Sequence, residues 1–181
     1  MSLIDKLTNS EEFPEDYKTL DDGIDALLPY IWKFSEGLQD YDYYVNRRWK
    51  EVRGSIEFHE SILHVFKDSG EYLRIIEGNI ETGAWEIDIN GFILQYKGGY
   101  ELYELSFLNE NFFMLRKHGD HVNKGMRAKY LFFTTETIAN KYEWPKILAL
   151  IFNSIYKQNS NYLFILVIFI AIVAFIAFLS L

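Results

Sequence analysis

The sequence predicts a mainly β chain of the α+β class. The expected fold is an eight-stranded antiparallel meander barrel with an N-terminal amphipathic helix, a juxtamembrane helix and one C-terminal transmembrane helix. Three observations carry this. From about Asn46 to Thr135, short runs alternate apolar and polar residues with period two and are punctuated by turn residues. Before them, Ile24, Leu27, Leu28, Ile31 and Trp32 recur at helical spacing. After them, residues 162–181 (YLFILVIFIAIVAFIAFLSL) contain no charge and no proline. The chain thereby divides into an acidic N-terminal segment (1–45), a barrel (46–135), a juxtamembrane helix and hinge (136–161) and a span (162–181).

Residues 1–18 read as a polar lead-in in which Leu3, Ile4 and Leu7 form one short apolar turn. The first helix starts near Thr19, with Thr19, Asp21 or Asp22 as its cap and acids in its first turn to suit the helix dipole. Pro29 falls inside the pattern and is expected to kink the helix or split it at Leu28. Residues 39–44 (QDYDYY) form a tyrosine-rich connector.

The strands are expected at 47–58, 61–66, 71–81, 84–89, 91–97, 100–108, 112–117 and 126–134. Turns are expected at 68–70 (DSG), Thr82-Gly83, Asn90-Gly91, Gly98-Gly99, 109–111 (NEN) and 123–125 (NKG). Asn90-Gly91 is the strongest hairpin signal. Trp85, Ile87 and Ile89 share one face with Glu86 and Asp88 opposite, and Leu105 and Phe107 continue the alternation with Glu104 opposite. Eight such strands hide their edges best by closing into a small barrel; an open sheet with the helix on one face is the alternative.

Trp144-Pro145 marks a further helix start, followed by Ile147, Leu148, Leu150, Ile151, Phe152 and Ile155 up to Lys157. Too short to span, it either lies in the membrane interface or caps one end of the barrel. Residues 158–161 (QNSN) are a polar hinge. The final segment is long enough as a helix, at ~1.5 Å per residue, to cross a hydrocarbon core of about 30 Å. Fifteen of its twenty residues are Leu, Ile, Val or Phe. The anchor is represented by Tyr162, Leu163, Phe164, Phe169, Ala171, Ala174, Ala177 and Leu181. The three alanines recur every third residue and could form a packing ridge between spans, hence a homo-oligomer.

Lys141, Lys146 and Lys157 precede the span and nothing charged follows it, which predicts a tail-anchored, single-pass protein of the inner membrane with its N-terminus in the cytoplasm. The N-terminus lacks a basic region followed by an apolar run, so no signal peptide is expected. The chain has 181 residues and no cysteine, which excludes disulfides, thiolate zinc sites and cysteine nucleophiles. Its net charge of −8 resides in residues 1–45, where eleven acids face three lysines; the remainder is neutral.

Residues 83–91 (GAWEIDING), 100–105 (YELYEL) and 112–116 (FFMLR) together resemble the lipocalin-like small β-barrel domains common in bacteria. The resemblance covers about half the chain and implies the fold, whereas function varies within such barrels. The pairing of a cytoplasmic barrel with a membrane helix is also similar in architecture to the barrel effectors of bacterial cyclic-nucleotide anti-phage systems, which place their helices before the barrel.

No Gly-x-Ser-x-Gly elbow, phosphate-cradling loop or dinucleotide fingerprint is present, and no enzyme, cofactor or metal is expected. His118 and His121 lack the helical register of a metallohydrolase and read as turn residues. Glu101 with Glu104, or Glu86 with Asp88, are candidate acid/base pairs, and neither is expected to catalyse. A stronger constellation is basic. Arg47, Arg48, Lys50 and Arg53 begin the first strand, and Arg116, Lys117, Lys124, Arg127 and Lys129 lie on or between the last two. Barrel closure would gather them at one seam, where Glu51, Glu57 and Asp120 are the acids. Arg48, Lys50, Arg53, Arg116, Arg127 and Lys129 are the candidate ligand-binding residues. They could meet an anionic small molecule, an anionic leaflet or the acidic segment 1–45, or be a solvated wall. Phe112, Phe113, Tyr130, Phe132 and Phe133 read as barrel core. The expected function is a non-enzymatic, membrane-anchored binding or adaptor module with a protein or small anionic partner and no nucleic acid. A ligand-gated membrane-disrupting effector is the alternative.

Overall fold

Eight short antiparallel strands, each paired with its sequence neighbours, close on themselves: β1 (Arg48–Glu51), β2 (Ile62–Phe66), β3 (Glu71–Ile76), β4 (Asn79–Asp88), β5 (Gly91–Tyr96), β6 (Gly99–Leu108), β7 (Phe112–Lys117) and β8 (Tyr130–Thr135). Closure is made by β1 and β8, through Trp49 opposite Thr135 and Glu51 opposite Phe133. The barrel is closed, as expected, and not an open sheet. The structure, a computed structural model, describes residues 13–54, 60–89, 91–119, 128–157 and 169–170.

Strand number and order match the expectation, but one hairpin is placed differently. The turn between β3 and β4 is Glu77-Gly78, both with positive φ (49° and 85°), as a two-residue hairpin turn requires. Thr82-Gly83, expected as a turn, lies in the middle of β4. Gly83 is there because the neighbouring strand comes close: a Cβ would stand 2.2 Å from the Gln95 carbonyl oxygen. The first and last strands are also shorter than expected, β1 ending at Glu51 and β8 starting at Tyr130.

Two cores are separated by the barrel wall. Inside, Tyr44, Trp49, Phe66, Trp85, Phe92, Phe113 and Phe133 pack as one aromatic cluster. Tyr44 belongs to the tyrosine-rich connector and stoppers this end of the barrel. Its ring lies 5.1 Å from Phe113 and 5.7 Å from Trp85, its hydroxyl donates to the Leu38 carbonyl, and its own carbonyl accepts from Trp49 Nε1. Outside, Phe107, Phe112, Met114 and Phe132 are covered by helices. The wall formed by β6–β8 is thus buried on both faces, so β7 reads as a continuous apolar run without alternation. A register shift between Leu105 and Phe107 turns Phe107 outward, opposite Met114, and Leu108 inward, opposite Phe113. The expected common face for Leu105 and Phe107 is therefore corrected.

The covering layer is α1 (Leu20–Ile31), the short α2 (Glu136–Ala139) and α3 (Trp144–Ile151), which continues as a π-helical turn, Phe152–Lys157. Thr19 caps α1 by accepting from the Asp22 amide at 3.1 Å. Pro29 does not split α1, which runs on to Ile31, two residues beyond it. Of the expected apolar face, Ile24, Leu27 and Ile31 are fully buried, whereas Trp32 is exposed. Ile147, Leu148 and Ile151 of α3 pack against α1 and the outer wall, so α3 neither caps a barrel end nor leaves its apolar face free. Gly23 permits this approach, since a Cβ there would lie 2.5 Å from Leu148 Cδ1.

The acidic segment meets the seam directly. Asp21 accepts the Lys129 amide at 2.8 Å, and Asp25 pairs with the Lys129 ammonium at 2.6 Å. The expected span at 162–181 lies outside the described residues except for Phe169 and Ile170, which are helical and exposed. Among the described residues no helix is long and apolar enough to cross a membrane.

Candidate ligand site at the polar end of the barrel

The inward faces of the strands change character along the barrel axis. Beyond the aromatic cluster, toward the end where β1 finishes and β2 begins, the inward side chains are polar or charged: Glu51, His64, Tyr72, Arg74, Glu81, Tyr96, Glu101, Tyr103 and Lys117. Their facing follows from register. His64 stands opposite Arg74, and Arg74 opposite Glu81; Glu101 stands opposite the core residue Leu94, and Lys117 opposite Tyr103.

Three hydrogen-bonded groups make up this end. In the first, His64 (2 % exposed) bridges Glu51 and Tyr72, with Nε2 3.0 Å from Glu51 Oε2 and Nδ1 2.7 Å from the Tyr72 hydroxyl. Burial holds the imidazole below its ordinary pKa despite the carboxylate beside it. The neutral ring therefore carries its proton on Nε2, donates to Glu51 and accepts from Tyr72. Burial opposes the Glu51 charge, yet the hydrogen bonds from His64 and from Arg53, at 2.8 Å, outweigh it and bring its pKa down to about 2. Burial likewise raises the pKa of Tyr72.

In the second group, Arg74 Nη1 donates to Glu81 at 3.1 Å and to the Tyr96 hydroxyl at 3.0 Å, and Lys97 reaches Glu81 at 2.8 Å. Tyr96 also donates to Glu81, and the Arg74 and Lys97 cations lie 5.3 and 5.2 Å from its ring centroid. Hydrogen bonds from Lys97, then Tyr96 and Arg74, keep the Glu81 pKa at about 2. In the third, Lys117, whose side chain is 10 % exposed, pairs with Glu101, and Glu101 accepts from Tyr103. Burial and the Glu101 carboxylate both raise the Tyr103 pKa. No buried side-chain polar atom lacks a partner among the described residues. A cleft of about 420 Å³ adjoins Tyr96 and Lys97 of the second group; Gly83, Gly98 and Gly99 line it too, as do the exposed Gln95 and Tyr100, which are paired across β5 and β6.

The sequence-predicted cations are distributed otherwise. Arg48 pairs with Glu136 of α2 at 2.9 Å and Lys50 donates to Asn140 at 2.7 Å, both on the outer wall. Arg116 pairs with Glu104 across β6 and β7, Lys129 with Asp25 of α1, and Arg127 lies outside the described residues. Of the five that are described, Arg53 alone reaches the polar end, through Glu51. Among the described seam cations, Arg48, Arg116 and Lys129 each stand beside an acid, Glu136, Glu104 and Asp25 respectively. Glu101 and Glu104 face opposite sides of the wall, and His118 binds Glu104 at 2.8 Å; His121 lies outside the described residues. Phe113 and Phe133 point inward, whereas Phe112, Tyr130 and Phe132 point outward under the helices. Among the described residues no group of carboxylates and histidines could hold a metal ion.

Arg74, Lys117, Glu81 and the three tyrosines were missed as a site. Lys117 was legible, because Phe113, Leu115 and Lys117 share a face at period two. Arg74 was not, because β3 has apolar residues on both faces (Leu73 and Ile75 outward, Tyr72 and Ile76 inward). Comparison of the chain with protein-family models, curated proteins and solved structures found no match.

Proposed function

We propose that this protein is a non-enzymatic, membrane-anchored binding module of the lipocalin-like barrel type, whose polar barrel end takes a small anionic ligand at the inner face of a membrane. The observation that carries the reading is the inward placement of two cations, Arg74 and Lys117, at the barrel end where Tyr72, Tyr96 and Tyr103 also turn inward. Small closed barrels hold single ligands at such ends. Phosphate or carboxylate oxygens suit guanidinium, ammonium and phenol donors. Glu81 and Glu101 serve as internal counterions that a ligand anion displaces, so binding exchanges one ion pair for another and selects by geometry. The apolar segment 162–181 supplies the address.

The test is calorimetric titration of the full-length protein in detergent with acetate, inorganic phosphate and adenosine monophosphate. Lys117→Gln and Arg74→Gln are each expected to weaken the bound anion about tenfold, while Arg48→Gln on the outer wall changes nothing. Absence of binding by all three anions, or equal sensitivity to Arg48, would remove this reading.

A further inference from the structure

A second cavity lies at the stoppered end, remote in chemistry from the polar site. It measures about 330 Å³ and is lined by Tyr41, Val45, Asp68, Trp85, Glu86 and Ile87, with the Gly70 backbone at its edge. Among the described residues no lysine or arginine lines it. The Trp85 ring is fixed on two sides: Nε1 donates to the Lys67 carbonyl at 2.8 Å, and Phe92 stacks on it at 5.6 Å. The Tyr41 ring stands 6.4 Å from Trp85, tilted by 60°, and is 46 % exposed. Asp68 is delivered to the rim by the 67–70 turn, which Gly70 closes with φ 81° and which the Trp85 amide clasps at 2.9 Å. Among the described residues neither Asp68 nor Glu86 makes an ion pair.

We propose that this cavity binds an alkylated ammonium ion of the choline type. Elimination leads there. Two carboxylates at the rim repel anions. A neutral apolar guest would desolvate those carboxylates with nothing in return. A metal ion would find two carboxylates where it needs about six or more oxygen ligands. A weakly hydrated organic cation satisfies every wall: its methyl groups contact Val45, Ile87 and the 7 % of Trp85 that is exposed, its charge meets the exposed Tyr41 π-system, and Asp68 and Glu86 balance it at short range. The site is independent of the anion reading at the other end of the barrel.

The experiment is saturation-transfer NMR with tryptophan fluorescence on the full-length protein in an uncharged, non-zwitterionic detergent. The probes are choline, its uncharged isostere 3,3-dimethylbutan-1-ol, and phosphocholine. Choline is expected to bind about tenfold more tightly than the isostere. Glu86→Gln and Asp68→Asn are each expected to weaken choline several-fold. Tyr41→Leu keeps apolar area and removes the π-face, so it weakens choline and leaves the isostere unchanged. Choline above phosphocholine supports a free organic cation; the reverse order supports a lipid headgroup carrying the same ammonium. Equal affinity for choline and the isostere, no binding of either, or indifference to both Glu86→Gln and Asp68→Asn would overturn the proposal. A substitution on the far wall, Glu104→Gln, is the control and changes none of these.

Discussion

His64 lies between a carboxylate and a phenol with almost no exposure, and it is held neutral by burial. Its folded pKa is below the ordinary 6.5, and that of Glu51 drops from 4.5 to about 2. In both cases the unfolded chain binds more protons than the folded one, so their stability contribution is present above the unfolded pKa and is lost as pH falls. The thermal midpoint should therefore be level between about pH 7 and 9 and decline on acidification below about 6.5. His64→Gln keeps a donor for Glu51 and removes the titration, which should flatten the limb between about pH 6.5 and 4.5 and leave the lower limb intact. A wild-type midpoint independent of pH over that range would contradict the assignment. Gly83 makes a second residue-scale case. Gly83→Ala forces a Cβ against the Gln95 carbonyl and should cost about 3 kcal/mol in urea denaturation, more than Gly78→Ala, where only the positive φ is strained.

At the scale of elements, α1 is joined to the barrel by charge as well as by its apolar face. Its first-turn acids read from the sequence as partners of the helix dipole, yet Asp21 accepts backbone amides at the start of β8, and Asp25 holds Lys129. Asp21→Ala should speed hydrogen exchange at the Lys129 and Tyr130 amides and cost about 1 kcal/mol. Unchanged exchange there would mean that β8 starts without help from α1. The strands show how far local pattern reaches. β4 and β5 were legible because a polar outer face alternates with Trp85, Ile87 and Phe92. β7 and β8 could be located but not oriented, because helices cover their outer face and both faces are apolar.

At the scale of the whole molecule, the proposed role of residues 162–181 as an anchor makes a direct prediction. The full chain should sediment with membranes and resist alkaline carbonate extraction. Ala171→Arg with Ala174→Arg, at roughly 2.5–3.5 kcal/mol for each charge near the centre of a span, should release it. Retention of the double variant would show that the barrel, rather than residues 162–181, holds the membrane.

The sequence by itself determined the number and order of the strands, the first helix and the uninterrupted apolar stretch 162–181, whereas it left closure against an open sheet, and the cap among Thr19, Asp21 and Asp22, to the structure. The features it determined depend on neighbours in the chain: period, turn residues and hydropathy. Only the tertiary structure decided which charges meet. Arg48 with Glu136, Lys129 with Asp25 and Lys117 with Glu101 are separated along the chain and brought together by register, closure and the register shift near Leu105. A one-residue change of register exchanges the two faces of a strand, and period two alone cannot say which face is inside when both are apolar. The basic run along β1, β7 and β8 and the face of Lys117 were therefore visible in the sequence, whereas the pairing of the outer cations with Asp25, Glu104 and Glu136 and the inward turn of Arg74 were not.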